Sequence, residues 1–393
     1  MSAGFRSAFA LVLLVALCAQ LAIGDVGASA AATTPAVAAA PAAPSAATAP
    51  PPPELGLVRW GRDVDTALAR ARAESRHVLV LFDEVPGCAT CVGFGQSALS
   101  HLLLVEAIET EFIPVAIYNN VPGQDAAILA RFDEPAWNNP VVRFLDADGR
   151  DIVPRREGVW TAHALAMRIA QALHAAGRRA PDYLVLAAEE TAEAARETAT
   201  FGMSCYWDGE VCLGALDGVL ATRTGTIDGH EVVEVEFDAE ARSYAEIVRA
   251  AIDAGCAEIA YARDAAQEAV ARRIVGDRAR RAAAPAGDAP EPDRKFYLRA
   301  DPLRWAPLTP LQAARANAAL ARGRDPLVTL SPRQRALAAR VTEAVARDPD
   351  ALAGLSSPER VESLPGYELA LCARLDALSA SRASRLDRRR APR

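Results

Sequence analysis

Residues 77 to 91 read His77-Val78-Leu79-Val80-Leu81-Phe82-Asp83-Glu84-Val85-Pro86-Gly87-Cys88-Ala89-Thr90-Cys91. The first six residues form a short apolar run, which predicts a buried strand. The two cysteines follow as a CxxC pair at the point where a helix should begin. A helix N-terminus presents unpaired N–H groups and a positive dipole end, which together lower the pKa of a thiol. The stretch therefore predicts a redox-active pair, Cys88 and Cys91, able to form and break a disulfide by exchange.

Two other interpretations of this pair stay open, a structural bridge and half of a metal site. A four-thiolate zinc site needs a second close pair of cysteines, and the sequence has none. We therefore favour thiol exchange, and we predict neither a metal nor another cofactor.

Helix and strand patterns alternate on both sides of this stretch, over a predicted domain of residues 54–180. The predicted elements are a helix capped by Asp63 or Asp65, strands at 112–118, 141–145 and 151–153, a short helix at 126–132 and a helix from Thr161 to Ala176. This order of elements predicts an α/β fold with a mixed sheet.

Residues Leu55 to Ala176 resemble the thioredoxin family in the order of their elements and in the CxxC at the strand–helix junction. The family's second marker is a cis-proline that faces the pair, and Pro140 stands directly before the strand 141–145. Only X-Pro bonds populate the cis form readily. The resemblance implies that Cys88, Cys91 and Pro140 are catalytic residues. The family's usual tryptophan before the first cysteine is absent, which leaves the reduction potential and the substrate open.

A second module, predicted over residues 181–278, contains Ser204-Cys205-Tyr206-Trp207-Asp208 at a predicted helix start. A cysteine at a helix start beside two aromatic residues predicts a reactive thiol next to an apolar cup. Such a site suits a methyl-bearing thioether or its oxide. A buried cysteine in an aromatic core is the alternative. A strand at 231–237 and a helix at 243–254 complete the pattern.

This module resembles the methionine-(S)-sulfoxide reductase A family from Phe201 to Ala254. The stretch 204–208 matches that family's Gly-Cys-Phe-Trp-Gly motif, and Gly229-His230-Glu231 matches its Gly-His-x-Glu segment with one residue dropped. The family's acid followed by Leu-x-Gly-Val is also kept in register, by Glu210, Leu216, Gly218 and Val219. The implied fold is a compact, sulfoxide-reductase-A-like α/β domain.

The resemblance implies that Cys205 attacks the sulfoxide sulfur, that Tyr206 and Trp207 hold the methyl group, and that Glu231 protonates the departing oxygen. Protonation by a carboxylic acid requires a raised pKa, which an apolar pocket supplies. The family's later segment, with its Asp, His-Gly-Thr and Tyr, has no counterpart between Cys256 and Arg263. Two groups that position the oxygen are thus unaccounted for.

A sulfenic acid on Cys205 needs a second thiol for its reduction. Seven residues of regular helix place Cys212 about 10 Å away, beyond the reach of a disulfide. The predicted resolving thiol is therefore Cys256, or else the pair Cys88/Cys91. Fusion of the two modules would raise the local thiol concentration.

The ends of the chain predict export and a helical tail. Residues 1–24 have the layout of a secretory signal, and the Ala/Pro-rich stretch 25–53 is typical of an extended tether. A retained membrane anchor and a lipid on Cys18 are the alternatives. A linker is predicted at 279–293, followed by a helical region, 294–393, with helix starts at Thr309-Pro310, Ser331-Pro332 and Ser357-Pro358 and a basic end.

The 393 residues leave room for two or three domains, and the net charge of −7 without a basic block in the folded part argues against a nucleic-acid partner. The predicted partners are oxidised proteins or peptides and a thiol electron donor, outside the cytoplasm. Three functions remain open: an exported oxidoreductase that repairs methionine sulfoxide through its CxxC pair, a disulfide reductase or isomerase whose second module only binds the client, and a non-catalytic envelope scaffold.

Overall fold

The computed structural model describes residues 51–137, 140–192 and 195–390, without the side chains of 383–390. The predicted signal peptide, 1–24, lies outside the described residues, as do all but the last three residues of the predicted tether, 25–53.

The first part of the described chain is built on a three-stranded sheet of order β2-β1-β3, in which β1 is parallel to β2 and antiparallel to β3. Its elements are α1 (Val64–Glu74), β1 (His77–Asp83), α2 (Ala89–Ser97), α3 (Leu102–Glu111), β2 (Phe112–Tyr118), α4 (Gln124–Arg131), β3 (Val141–Leu145), α5 (Ala162–Ala175) and α6 (Asp182–Glu190). The predicted mixed α/β fold is confirmed.

The central position of β1 follows from its apolar residues, which are buried on both faces of the sheet. Leu79 and Leu81 face one core, whereas Val78, Val80 and Phe82 face the other. A strand that is covered on both faces reads as a continuous apolar run rather than as an alternating one.

Side-chain caps begin two helices where the sequence predicts them. Asp63 accepts a hydrogen bond from the N–H of Thr66 at the start of α1, and Thr161 accepts one from Ala164 at the start of α5. The predicted strand at 151–153 is wrong, because only Asp151 forms a bridge to β3. Pro154 follows directly, and a proline has no N–H with which to continue a ladder.

Helix α6 packs against the first core, although the predicted boundary at residue 180 assigned it to the second module. Tyr183, Leu184 and Ala187 are buried in the same cluster as Leu165 and Ile169 of α5. The first core therefore extends about ten residues beyond the predicted boundary, to the end of α6.

A second sheet of six strands follows, in the order β8-β7-β4-β6-β5-β9. It is antiparallel except for the pair β7 and β8. Its elements are β4 (Arg196–Gly202), α7 (Tyr206–Leu213), β5 (Val219–Ile227), β6 (His230–Asp238), α8 (Tyr244–Asp253), β7 (Ile259–Ala262), α9 (Ala265–Val275), β8 (Ala279–Arg281) and β9 (Gly287–Asp288).

A two-residue turn joins β5 to β6 and sets their register. Asp228 and Gly229 both have positive φ, 51° and 78°, as a type I′ hairpin turn requires. The register then pairs Glu231 with Thr226 near the turn. The hairpin thereby determines where along β6 the predicted acid Glu231 lies.

Residues 279–293, predicted to be a linker, instead take part in this sheet. β8 and β9 lie at its two opposite edges, and Ala289 is 2% exposed. A short edge strand is held by its backbone hydrogen bonds and needs no bulky apolar side chains. The Ala/Pro-rich composition therefore concealed these two strands.

Four helices complete the described chain: α10 (Phe296–Ala300), α11 (Pro310–Ala321), α12 (Pro332–Arg347) and α13 (Leu364–Arg390). α11 and α12 begin at the predicted Thr309-Pro310 and Ser331-Pro332, each with a complete capping box. Ser357-Pro358 begins no helix, because α13 starts only at Leu364, whose side chain is fully buried and anchors that position.

The C-terminal helices form the predicted helical region and pack on the parts that precede it, with α11 against α7 and β5 of the second part. The carboxylate of Glu190, at the end of α6, accepts the N–H of Leu311 at the start of α11, at 2.7 Å. Arg333 of α12 pairs with Glu106 and Glu109 of α3, at 3.1 and 2.8 Å.

Among the described helices, none is by itself long and apolar enough to cross a membrane, and the bent pair α2–α3 reaches that length only jointly.

Candidate active sites

The first site lies where β1 ends and α2 begins. Cys88 is the N-cap residue of α2 and is exposed, whereas Cys91, in the first turn, is fully buried. Their sulfur atoms are 3.2 Å apart, and neither cysteine is in a disulfide. The sequence prediction of a close pair at a helix start is confirmed.

The two thiols have opposite pKa shifts. Hydrogen bonds to Cys88 from the backbone N–H and the thiol of Cys91, together with the N–H of Thr90, lower the pKa of Cys88. Burial raises the pKa of Cys91, and contacts with Cys88 and Asp83 raise it further. The lowered pKa and the exposure of Cys88 suit it to attack as a thiolate, whereas Cys91 would have to be deprotonated to complete an exchange.

Asp83 is a site residue that our sequence reasoning missed, although it stands in the deciding stretch. It is fully buried at the end of β1 and is hydrogen-bonded to the thiol of Cys91. Burial raises the pKa of Asp83 to about 7, and the charges of Glu54 and Glu84 act in the same direction. A carboxylate at that place can accept the proton of Cys91 near neutral pH. A charged residue that ends a fully apolar strand is the signal that could have revealed it.

Asp83→Asn is expected to change how stability depends on pH. In the unfolded chain this carboxyl ionises near pH 3.8, whereas in the fold its pKa is about 7. Because the folded pKa is the higher one, the wild type loses stability as the pH rises from about 4 to 7, and the loss then stays constant. The asparagine variant lacks this loss. The free energy of unfolding of the variant minus that of the wild type should therefore be larger at pH 8 than at pH 4, by on the order of 3 kcal/mol.

Urea unfolding of both proteins, kept reduced and measured from pH 4 to 8, gives the comparison. Glu74→Gln serves as the control, since Glu74 lies in α1 beside two arginines, at the opposite end of β1 from the cysteines. Parallel pH curves for the wild type and Asp83→Asn would contradict the assignment of a buried, proton-holding Asp83.

Pro140 lies at the same end of the sheet as the cysteine pair. Val141 pairs with Phe82, so the register puts Pro140 beside Asp83. Its carbonyl accepts a hydrogen bond from the indole of Trp160, at 3.2 Å. The predicted cis bond, Asn139–Pro140, involves a residue outside the described ones, while the bond from Val85 to Pro86 is cis.

Three side chains at this site could together bind a metal ion. The sulfur atoms of Cys88 and Cys91 and a carboxylate oxygen of Glu84 all lie within 4.8 Å of one another. Two thiolates and one carboxylate would suit a soft divalent ion such as Zn²⁺. Because Cys91 is fully buried, its sulfur is poorly accessible to such an ion. The arrangement therefore suits thiol exchange better than metal binding.

The second site forms at the start of α7. Cys205 is the N-cap residue of this helix and a partly exposed free thiol. The carboxylate of Glu231 accepts the N–H of Tyr206 at 2.6 Å, which places it next to the cysteine. The N–H of Met203 donates to the carbonyl oxygen of Glu231 at 3.1 Å, so the backbone fixes the same contact. The structure thus brings Cys205, Tyr206 and Glu231 together.

A segment from the far end of the domain lies across α7, and we call residues 291–297 the strap. The hydroxyl of Tyr206 donates to the carboxylate of Asp293 at 2.9 Å, and the ring of Trp207 stacks on Phe296 with centroids 4.0 Å apart. The hydroxyl of Tyr297 donates to the carboxylate of Asp208 at 3.3 Å. Lys295 forms an ion pair with Glu210 at 2.7 Å. Four strap residues therefore each contact a different residue of the helix that begins at Cys205.

Lys295 anchors the strap. It is the only lysine of the chain, and its ammonium group donates to Glu210 and to the carbonyl of Thr222, both at 2.7 Å. Its backbone N–H donates to the second carboxylate oxygen of Glu210, which is 1% exposed. Lys295 has a φ of 47°, a region that a non-glycine residue adopts only when its surroundings hold it there.

Two tyrosines interact with Cys205, Tyr206 of α7 and Tyr297 of the strap. Burial raises the pKa of Tyr206 to about 12, with contributions from Asp293, Glu231 and Cys205. Burial and Asp208 raise the pKa of Tyr297, and the charge of Cys205 adds to this. Both tyrosine hydroxyls therefore stay protonated at neutral pH, and each donates its one proton to a carboxylate, Tyr206 to Asp293 and Tyr297 to Asp208.

Sequence reasoning missed Asp293, Phe296 and Tyr297 because the first lies in the predicted linker and the others just beyond it. They provide an acid and a tyrosine at the Cys205 site, the residue types whose usual segment is missing after Cys256. An acid and two adjacent aromatic residues directly after an Ala/Pro-rich stretch were the available signal.

Cys256 is not a free resolving thiol, contrary to our prediction. It forms a disulfide with Cys212, with Cα atoms 5.5 Å apart, and is 4% exposed. The bond joins α7 to the residues after α8. Residues at the ends of two packed helices can meet although 44 positions separate them in sequence. Among the described cysteines, those outside any disulfide are Cys88, Cys91, Cys205 and Cys372.

Comparison with known proteins gives one family model and two similar proteins. A thioredoxin-like family model matches residues 59–147. A peptide methionine sulfoxide reductase MsrA from Methanothermobacter thermautotrophicus (strain Delta H) is 35% identical over 69 residues, which cover 13% of this chain and 41% of that protein. The chain thus spans less than half the length of this relative. A solved structure described as a DsbH oxidoreductase is 15% identical and covers 34% of this chain and 96% of its own, with a TM-score of 0.27.

The family match encloses the cysteine pair, Asp83 and β1 to β3. These are the parts whose geometry supports thiol exchange. This chain thus carries a thioredoxin-like domain at residues 59–147.

Proposed function

We propose that this protein is an exported thiol oxidoreductase that reduces methionine-(S)-sulfoxide in oxidised proteins. In this proposal Cys205 performs the reduction, and Cys88 and Cys91 supply the electrons. The observation that carries it is that the helix capped by Cys205 is contacted by the carboxylate of Glu231 and by the strap, through Tyr206 and Asp208. The identity of 35% to a methionine sulfoxide reductase supports the same chemistry.

The first step transfers oxygen to Cys205. Its thiolate attacks the sulfoxide sulfur, the S–O bond breaks, and Glu231 supplies one proton, which leaves a free thioether and a sulfenic acid on Cys205. The methyl group contacts Tyr206 and Trp207, whose rings lie 6.3 Å apart. The hydroxyl of Tyr297 exchanges its hydrogen bond to Asp208 for one to the oxygen as the S–O bond lengthens.

The second step reduces the sulfenic acid. Cys88 attacks the sulfur of Cys205, water leaves, and a mixed disulfide forms. Asp83 accepts the proton of Cys91, which then attacks Cys88 and releases Cys205 as a thiol. The product is a disulfide between Cys88 and Cys91, and an external thiol donor reduces it for the next cycle.

The export part of the proposal rests on the apolar run within residues 1–24 and on the tether at 25–53. The disulfide between Cys212 and Cys256 supports it, because structural disulfides persist in oxidising compartments. The proposed partners are oxidised proteins or peptides outside the cytoplasm and a thiol electron donor. Nucleic acid is not among them.

One observation favours a second candidate function, a disulfide reductase or isomerase whose second domain only binds the client. Phe296 stacks directly on Trp207, with ring planes 14° apart, and so covers part of the aromatic surface that would receive a methyl group. A covered aromatic surface of this kind is compatible with a rigid binding site for a client protein as well as with a catalytic pocket.

A pair of assays on the purified full chain separates the candidates. With dithiothreitol as the electron source, turnover of a methionine-(S)-sulfoxide peptide, but not of its (R) epimer, supports the proposal. Reduction of insulin disulfides without sulfoxide turnover supports the second candidate. If fully reduced protein shows neither activity, the third candidate remains, a non-catalytic envelope scaffold.

Tyr297→Phe is expected to lower kcat/KM for the sulfoxide peptide by about tenfold, the usual cost of one hydrogen bond to a developing charge. Tyr244→Phe is the matched control, because the Tyr244 hydroxyl is buried in the same domain without a hydrogen-bond partner among the described residues. The control should keep the wild-type value within about twofold. Equal kinetics for Tyr297→Phe and wild type would remove Tyr297 from the mechanism.

A further inference from the structure

Glu54 occupies a place beneath the cysteine pair that the mechanism above does not use. It belongs to a short 3-10 turn, Pro53–Leu55, and is 3% exposed. One carboxylate oxygen accepts the N–H of Gly87 at 2.8 Å. The other oxygen is buried and has no hydrogen-bond partner among the described residues. Burying a carboxylate with one unpaired oxygen costs free energy. The position of Glu54 therefore calls for an explanation beyond packing.

Close packing determines where this turn lies. A Cβ atom built on Gly95 of α2 would approach the carbonyl oxygen of Pro53 to 2.0 Å and the backbone of Glu54 to 2.5 Å. Only glycine therefore fits at this position of α2. The contact holds Glu54 against the helix that carries Cys91.

The residue that Glu54 contacts lies directly against the cysteines. A Cβ atom on Gly87 would come within 2.7 Å of the Cβ of Cys91 and within 3.1 Å of its sulfur. A displacement of the backbone at Gly87 would therefore move Cys88 relative to Cys91. The hydrogen bond from Gly87 to Glu54 opposes that displacement.

The groups that share this space and can titrate are Asp83, Glu84, Cys88 and Cys91. The charge of Glu54 acts on Asp83, and it raises the pKa of that carboxyl in the same direction as Glu84. Asp83 in turn acts on Cys91 through a hydrogen bond and through its charge. A second negative charge at this depth thus acts on the proton exchange of the pair.

We propose that Glu54 is a positioning residue of the Cys88/Cys91 pair, which holds the Gly87–Cys88 backbone in place and sets the negative charge beneath the two thiols. The inference deepens the proposed function and rests on thiol exchange at this pair. It assigns a role to the turn at which the described chain begins, ahead of residues 59–147.

Two variants separate the charge of Glu54 from its hydrogen bond. Glu54→Gln keeps an oxygen that can accept the N–H of Gly87 and removes the charge, whereas Glu54→Ala removes both. Glu74→Gln, on the surface of α1, is the control for loss of a carboxylate elsewhere in the domain. The first readout is the rate at which iodoacetamide labels Cys88 between pH 5 and 9 in reduced full-length protein, resolved by peptide mass spectrometry. The second is insulin disulfide reduction at the optimum pH.

Removal of the negative charge favours the thiolate, so the midpoint of Cys88 labelling should move down by about half a pH unit in both Glu54 variants, and not in Glu74→Gln. Insulin reduction should fall about tenfold in Glu54→Ala and stay within about twofold in Glu54→Gln, since only the former loses the acceptor. Midpoints within about 0.1 unit of wild type in both variants would overturn the role of the charge. An unchanged reduction rate in Glu54→Ala would overturn the role of the hydrogen bond.

The labelling readout needs no enzymatic activity. If the wild type reduces no disulfide, the proposed function fails, while the midpoint of Cys88 labelling still decides the role of Glu54. If Glu54→Ala does not fold, the nearly isosteric Glu54→Gln decides the role of the charge alone.

Discussion

Cys205→Ser is expected to lower the rate of methionine-(S)-sulfoxide reduction by at least about a thousandfold, the usual effect of removing a nucleophile. A serine hydroxyl is almost fully protonated near neutral pH and accepts no oxygen from a sulfoxide. The fold should be unaffected, because Cys205 is partly exposed and forms no disulfide. Steady-state turnover of a sulfoxide peptide with dithiothreitol as the electron source measures the change.

Cys372→Ser provides the control for this prediction. Cys372 is also a partly exposed free thiol, but it lies in α13, apart from both sites. It should keep the wild-type rate. If Cys205→Ser retained the rate as well, the sulfoxide chemistry would have to reside elsewhere or be absent.

Cys88→Ser is expected to abolish the transfer of electrons to Cys205, with a loss of insulin disulfide reduction of at least about a hundredfold. The reason is the asymmetry of the pair, since the pKa of Cys88 is lowered and its thiol is exposed, whereas Cys91 is buried. In a single-turnover experiment without dithiothreitol, reduced wild-type protein should convert the sulfoxide and form the disulfide between Cys88 and Cys91. The Cys88→Ser variant should stop at the sulfenic acid of Cys205, which dimedone traps.

Cys91→Ser distinguishes the roles of the two cysteines. With Cys88 present but no second thiol to complete the exchange, the variant should accumulate a mixed disulfide on Cys88 that resists resolution. Non-reducing mass spectrometry detects this species. Accumulation of the same mixed disulfide on Cys91 in Cys88→Ser would reverse the assigned roles, and dimedone labelling of Cys205 in neither variant would argue against an electron path through this pair.

The local features of both sites could be predicted from the sequence. The apolar run 77–82 is β1, the cysteine pair stands at the start of α2, and Cys205 stands at the start of α7. Thr309-Pro310 and Ser331-Pro332 begin helices as predicted. Each of these features depends on residues a few positions apart, whose spacing fixes helical or strand periodicity and capping. The thioredoxin-like and sulfoxide-reductase-like resemblances rest on the same short-range motifs.

Only the tertiary structure decided which distant groups complete the sites. Glu54 reaches Gly87 across 33 positions, Asp293 reaches Tyr206 across 87, and Cys212 pairs with Cys256 across 44. No local pattern encodes such contacts, because they arise when whole helices and strands pack and bury their faces against one another. The same packing turned a predicted linker into edge strands and joined the predicted helical tail to the parts that precede it. The sequence by itself determined where the thiols stand on their helices, and tertiary packing determined the burial, charge and hydrogen bonds around them.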